Sequence, residues 1–328
     1  MPQQQKALIF PQKRANLKVG SRSIPSPGTR QLLVKIHSAV LNPVDYMIRN
    51  TGVFLTHYPV ILGVDIAGIV EELVGEGVEN FCKGDKVLAH GSFPIIDQGA
   101  FQQYALTVAT LTAKIPSKQF FDSAATVPLG LDTAVVGLYG SLVILNGSSS
   151  VGSYSKRAIQ LARFSGFDPV VTTAFPSNED LVRDYGATHL FDWHLSGNQL
   201  VAAIGKVIDS PFRIVFDAIS LPETQSVEWR LLAQNGIIVL TLPASVKEDE
   251  GKGHKTIYIN GDPHLPYTHE LFCNSWAMVE TWLLEGIIQP NNHEILPNGL
   301  EGVIGGLERV GMGQVSGVKL VAHPQETQ

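Results

Sequence analysis

Along QLLVKIHSAV, residues 31–40, Leu32, Val34, Ile36 and Ser38 fall on one face of an extended chain and Leu33, Lys35, His37 and Ala39 on the other. That two-residue period predicts a half-buried strand, and Lys35 on the face of His37 places this histidine at the surface. Similar short β-rich runs, KALIF, GVDIAGIVEELVGE, GDKVLAHG and AFQQYALTVATLTAKIP, follow one another through residues 1–124, divided by turn signals. Together they predict a small closed or nearly closed barrel.

Near Ser123 the pattern changes. Strands and helices now alternate: strand LVILNG, helix VGSYSKRAIQLARFSG, strand PVVTTAF, helix NEDLVRDYGA, strand HLFDW, helix GNQLVAAIGKVID, strand RIVFDAI, helix PETQSVEWRLLAQNG and strand GIIVLTL. Such alternation predicts right-handed βαβ units and a doubly wound parallel sheet, an α/β fold of the Rossmann type, over residues 125–285. A last helix, HELFCNSWAMVETWLLEG, leads to a tail ending in the strand-like VSGVKLVAH, so residues 286–328 are expected to complete the first domain. No tandem repeat or low-complexity segment interrupts this order.

Composition narrows the class. With 328 residues, 44% of them apolar and 16% charged, the chain can bury a large core, and its length favours two domains. A net charge of −6 argues against a nucleic-acid backbone as main partner and points to small molecules. Cys82 and Cys273 are too few for a disulfide scaffold or a four-cysteine zinc lobe, although one disulfide stays open. The first residues carry no signal-peptide core, and no apolar run approaches the roughly 20 residues of a membrane span. The expectation is a cytoplasmic protein.

The first strand of the alternating half turns through GSSSVG, residues 147–152, into a helix. A strand that turns through small residues into a helix presents backbone N–H groups and a positive helix end to an anion, as dinucleotide pyrophosphates require. Only Gly147 and Gly152 of the three-glycine fingerprint are present, so the position of the loop at the head of the series carries the reading. The next strand ends in TTAFPSN with no acid before Glu179, where an NAD site usually has one for the ribose diol. NADPH is therefore expected, with Thr173, Ser177 and Asn178 as donors to its 2′-phosphate. Arg183 or the pair Lys156 and Arg157 would add charge, or form a solvated helix face.

The stretches LNPVDY (41–46), GVDIAGIV (63–70), GDKV (84–87), GAFQQYA (99–105), AATVPLGLDTAVVGLY (124–139), NGSSSVG (146–152), YGATHLFD (185–192) and VSGVKLV (315–321) span nearly the whole chain. In residues and order they resemble the medium-chain dehydrogenase/reductases, in the zinc-independent quinone-oxidoreductase and enoyl-reductase branch, with fungal enoyl-reductase-like members nearest. The resemblance implies a GroES-like partly closed barrel joined to a Rossmann domain. Zinc-using relatives have Cys where this chain has Asn42 and a His-Glu pair where it has Val64 and Asp65, and one carboxylate cannot build a three-ligand site. His264 and His269, flanking LPYT, match no metal motif.

By the same resemblance Asn42 and Asp45 lie beside the nicotinamide and ribose, while Thr126, Leu129 and Thr133 line the cleft. Ser149, Ser150, Val151 and Gly152 hold the pyrophosphate, Trp193 takes the place of a tyrosine near the adenosine, and Leu242, Pro243 and Val315 approach the nicotinamide end. Val53 occupies the position where mitochondrial-type enoyl thioester reductases carry a catalytic Tyr, which leaves Tyr46 and Asp45 as candidate catalytic side chains. Tyr58, Phe93, Tyr258 and His264, with the NGDPHLPYT loop, would line the substrate. The family pattern is also departed from at the short junction between TAVVGLYG and SLVILNG, and at SYSKRAIQLA, which is longer than the usual SYAIQLA.

Without a metal or a strong base, alcohol oxidation is disfavoured, whereas hydride delivery to the β-carbon of an enone, enoyl thioester or quinone needs only positioning and hydrogen bonds to the developing enolate. The expected activity is that of an NADPH-dependent reductase of such substrates. Two alternatives stand beside it: a trans-acting enoyl reductase partner of a polyketide synthase, and an NADPH-binding protein without turnover. Relatives occur as monomer and homodimer.

Overall fold

The computed structural model describes residues 3–140, 151–153, 156–247 and 252–328, with the side chains of 151–153 left aside. It divides into two compact units, residues 1–129, 263–284 and 290–328 in the first, and residues 130–262 and 285–289 in the second.

In chain order the first unit contains β1 (Gln4–Phe10), β2 (Lys18–Ser23), β3 (Gln31–Val40), α1 (Pro43–Thr51), β4 (Val60–Ile61), β5 (Asp65–Leu73), β6 (Lys86–His90), β7 (Tyr104–Val108), β8 (Thr112–Lys114) and α2 (Phe121–Ala125). The helix α3 (Pro128–Tyr139) leads into the second unit, with β9 (Val151–Ser153), α4 (Lys156–Phe164), β10 (Val170–Ala174), α5 (Glu179–Asp184), β11 (His189–Asp192), α6 (Gly197–Ile204), β12 (Phe212–Asp217), α7 (Pro222–Trp229), β13 (Leu232–Leu240) and β14 (Lys255–Tyr258). The chain closes with α8 (His269–Trp276), α9 (Val279–Leu284), β15 (Asn292–Ile295), α10 (Leu300–Gly311) and β16 (Val318–Ala322).

The first unit is β-rich. Its seven-stranded sheet runs β15-β16-β3-β5-β6-β8 with β7 also paired to β3, and a three-stranded sheet runs β2-β1-β4. Strand β3 is central and pairs antiparallel with β5, β7 and β16. Its expected alternation is correspondingly blunted: Leu33 and Ala39 are buried along with Leu32, Val34 and Ile36, because α2 covers the second face. His37 is half-buried and stacks on Phe121 of that helix at 4.5 Å, so it is less exposed than its Lys35 neighbour suggested. One apolar core gathers residues from β1, β3, β5, α10 and β16, so the C-terminal strand belongs to this unit.

The second unit is a six-stranded, wholly parallel sheet in the order β11-β10-β9-β12-β13-β14. The chain starts at β9, winds outward through β10 and β11, then returns to the other side of β9 with β12, so the order reverses at β9. Ligands of open α/β sheets bind at such a switch point, outside the C-terminal ends of the strands. The inner strands β12 and β13 carry short apolar runs, at 214–216 and 237–240, as strands covered on both faces require, whereas β13 begins with the exposed pair Gln234 and Asn235. Helix α3 approaches this sheet closely at Gly137, where an added Cβ would stand 2.0 Å from the Phe216 ring of β12.

Several elements differ from the sequence pattern. Helices α8 and α9, expected in the Rossmann half, belong to the first unit, because they pack on the 109–111 turn and β8 there and bury Phe272, Trp276 and Trp282. Strand β14 carries too little apolar alternation in KTIY to have been marked. Both cysteines are free. Among the described residues no helix is long and apolar enough to cross a membrane.

Candidate functional site

In the first unit the site grows from the start of α1. Pro43 opens the helix at a position where its missing N–H is no loss. Asp45, three residues into the turn, reaches back so that Oδ2 accepts from Asn42 N at 2.8 Å while Oδ1 accepts from Gly63 N at 3.2 Å. Asp45 is fully buried, and that burial, with the Asp65 charge nearby, pushes its carboxyl up from 3.8 to about 7 against the opposing backbone hydrogen bond from Asn42.

Asn42 is held from three sides. Its Nδ2 donates to Asp65 Oδ2 at 2.9 Å, and its Oδ1 accepts from the Lys319 ammonium. Lys319, on β16, also stands 3.6 Å from Asp65 Oδ2, and the Leu129 N–H donates to Asp65 Oδ1 at 2.7 Å. Asn42, Asp65, Leu129 and Lys319 therefore form one network, and Asp45 joins it through the Asn42 backbone. Lys319 was not singled out from the sequence, although a single cation inside the apolar strand VKLVA is the kind of signal that marks a partnered charge.

This network bears on the metal that zinc-using relatives would hold here. The positions present an amide, the apolar Val64 and one carboxylate, with an ammonium already donating to the amide and paired with the carboxylate. A divalent cation needs several anionic or neutral lone-pair donors, so the residues do not fit it.

Tyr46 lies with its ring against Gly311 of α10, where an added Cβ would meet ring carbons at 2.2 Å. It is a packed aromatic on the α1–α10 contact, which Arg49 and Glu308 close with an ion pair at 2.6 Å. Thr126 donates its hydroxyl proton to Ser123 O at 2.7 Å and accepts from Asn291 N at 2.8 Å. Of the expected substrate-lining residues in this unit, Tyr58 packs edge-on against Phe10 at 5.5 Å, and Phe93 stacks on the exposed Phe54 at 6.5 Å. His264 reaches the same 91–93 loop, with Nε2 donating to Gly91 O at 3.1 Å, while Val315 packs on the core before β16. Tyr258 belongs to the second unit, half-exposed on β14.

In the second unit the stretch expected to hold a pyrophosphate is described only in part. Ser149 and Ser150, with the strand LVILNG, lie outside the described residues. Val151 and Gly152 do not sit in a strand-to-helix turn: they form β9, pairing with Val170 and Val171 on one side and Ile214 and Val215 on the other. Helix α4 starts at Lys156, where the amphipathic run that buries Ala158, Ile159, Leu161 and Ala162 begins.

The C-terminal end of β10 carries an unpaired group. Thr173 Oγ1 is buried without a hydrogen-bond partner among the described residues, and Ser177 and Asn178 follow in a 3-10 turn. Beside them Trp193 and Phe175 meet edge to face at 5.3 Å and His194 lies 4.8 Å from Trp193, an aromatic shelf half open to solvent. Phe175 and His194 were not foreseen, since neither lies in a recognisable motif. The cations expected nearby are engaged elsewhere: Arg183 pairs with Glu179 at 2.8 Å, and Arg157 is buried, donating to Gln160 and to the Gln289 carbonyl. Leu242 and Pro243 follow β13, and Thr133 on α3 packs against Gly261.

Residues 28–117 match the family model of the alcohol dehydrogenase GroES-like domain. The chain is 31% identical to a dehydrogenase of Aspergillus niger, azaJ, over 96% of this chain and 97% of that one. It is 32% identical to the trans-enoyl reductase himH of Aspergillus japonicus over 93% of each. Among solved structures, an alcohol dehydrogenase superfamily protein from Novosphingobium aromaticivorans superposes with a TM-score of 0.81 at 23% identity, covering 97% of this chain and 98% of that one. A mycobacterial protein complexed with NADPH gives 0.79 at 20% identity, covering 98% and 100%. At those identities the two structures speak to the fold alone.

Proposed function

Because the chain belongs to the medium-chain dehydrogenase/reductase family and is an oxidoreductase with a Rossmann domain for a nicotinamide cofactor, we propose that it is an NADPH-dependent reductase working without a metal on an activated C=C of an enone, enoyl thioester or quinone. The observation that carries the reading is the Asn42–Asp65–Lys319 network, which places an ammonium and its partners where a catalytic metal would need ligands. When bound, reduced nicotinamide supplies a hydride to the β-carbon of the substrate.

The residues of this chain supply position and field. Thr173, Ser177 and Asn178 sit at an acid-free strand end, and the orphan Thr173 hydroxyl suits a 2′-phosphate oxygen better than the diol of NADH would suit a site lacking a carboxylate. The Phe175–Trp193–His194 shelf offers a stacking face to the adenine. Ser149, Ser150, Val151 and Gly152 keep the assignment to the pyrophosphate that the family resemblance gave them. Asn42, Asp45, Thr126, Leu129 and Thr133 are assigned to the nicotinamide and its ribose, with Leu242, Pro243 and Val315 at the carboxamide end. Tyr46 is packed and Asp45 has both oxygens on backbone N–H groups, so water delivers the α-proton in this reading.

Thermal unfolding without ligand, with NADPH and with NADH tests it. A ligand at about 100 times its Kd stabilises by roughly 2.7 kcal/mol. A clear rise with NADPH and a smaller one with NADH is expected, followed by NADPH oxidation on enones or quinones. A larger rise with NADH, or none with either, overturns the cofactor assignment. The relationship to a trans-enoyl reductase favours a second reading, in which the substrate arrives tethered to a carrier of a polyketide synthase. Turnover of carrier-bound but not free thioesters would select it.

A further inference from the structure

The loops that follow β12 and β13 meet through Thr241 at the strand ends and, farther out, through the side chain of Gln225. Gln225, on α7, is fully buried. Its Nε2 donates to Ser220 O at 2.8 Å and to Pro243 O at 3.1 Å, and its Oε1 accepts from Ser245 N at 2.7 Å and from Ser245 Oγ at 2.9 Å. A primary amide has two donor hydrogens and two acceptor lone pairs in one plane, and all are used.

The other end of the brace is itself fixed. Asp217, at the end of β12, accepts from Ile219 N at 2.9 Å, from Ser220 N at 2.7 Å and from Thr224 Oγ1 at 2.6 Å. Ser220 is held at φ +55°, and its hydroxyl accepts from Thr241 N at 2.8 Å. The 218–221 turn is thus a rigid anchor, and Gln225 transfers its position to residues 243–245, which are exposed and have no strand or helix of their own.

We propose that Gln225 is a positioning residue for the nicotinamide end of the cofactor, acting through the backbone of Pro243 and Ser245. This rests on the cofactor assignment above, which places Leu242 and Pro243 at that end. Because its amide is saturated within the protein, Gln225 touches no ligand; it sets where the 243–245 backbone stands.

The test is calorimetric titration of the full chain and two variants with NADPH and with 2′,5′-ADP, which carries the 2′-phosphate end of the cofactor but no nicotinamide. Gln225→Glu keeps the acceptor for Ser245 but sets an oxygen against the Ser220 and Pro243 carbonyls. Its NADPH affinity is expected to fall about tenfold while 2′,5′-ADP stays within about twofold. The hydride-transfer isotope effect with 4-deuterated NADPH is expected to rise as positioning, not release, becomes limiting. Ser245→Ala removes only one hydroxyl bond and should show the same split, about threefold, even where Gln225→Glu does not fold. Equal losses for both ligands, or no loss for either, overturn the proposal and reduce Gln225 to a packing residue. A wild-type chain that binds neither ligand overturns the cofactor assignment beneath it, which is a distinct result.

Discussion

The Lys319 ammonium lies 3.6 Å from Asp65 Oδ2, and Asp65 is fully buried. Removing one partner of a buried pair leaves an uncompensated charge, which is more damaging than the pair is stabilising. Lys319→Met is therefore expected to lower stability by about 3 kcal/mol, and Lys319→Arg by much less. Chemical denaturation at pH 7 reads the difference. The same cation predicts that dialysis against a chelator leaves both stability and turnover unchanged, and that added zinc gives no rise in Tm. A zinc-dependent rise would mean the ammonium is displaced on binding.

Two buried carboxyls predict the pH dependence of stability. Asp45 is pushed up to about 7, chiefly by burial, then by the Asp65 charge. Glu228, on the buried face of α7 three residues beyond Gln225, is pushed well above its usual 4.5 by burial and by the charge and hydrogen bond of Asp217. A group whose pKa is higher in the folded state binds more protons there, so its contribution is fully present below the unfolded value and is lost as pH rises through the folded one. Stability is expected to decline from about pH 4 to pH 7 on account of Asp45, and over the same range, from about pH 4.5 upward through its raised folded value, on account of Glu228. In a series of melts against pH, Asp45→Asn should flatten the slope between about pH 4 and pH 7, and Glu228→Gln should flatten it from about pH 4.5 upward. A slope unchanged in both variants would assign the titration to other groups.

Periodicity made the architecture legible because both halves carry strong patterns: alternation in β3, and apolar runs spaced by helices from β10 to β13. The domain boundary was less legible. The amphipathic face of α8 and α9 says only that the helices bury one side, and their partners, β8 and the 109–111 turn, are far away in sequence. Of the polar network around α1, the sequence singled out Asn42 and Asp45 through a motif, and Asp65 only as a lone carboxylate unable to build a zinc site. The site was not legible at Lys319, which lies 254 positions beyond Asp65, nor at Gln225, whose four bonds depend on a turn held by Ser220 and on a loop after the next strand. Long-range polar pairing has no period, so only the folded chain shows it.

The orphan hydroxyl of Thr173 separates binding from stability. A buried hydroxyl without a partner has lost its water and gained nothing in return, so replacing it by a methyl of the same shape should help the empty protein. Thr173→Val is expected to raise the stability of the ligand-free chain by about 1 kcal/mol. If the hydroxyl awaits an oxygen of the 2′-phosphate, the same change should weaken NADPH by about five- to tenfold and leave the weaker NADH nearly unaffected, since NADH has no phosphate oxygen there to lose. Denaturation without ligand and titration with each cofactor give the two readings on one variant. A more stable protein with undiminished NADPH affinity would place the 2′-phosphate elsewhere, with Ser177 and Asn178 the next side chains to change.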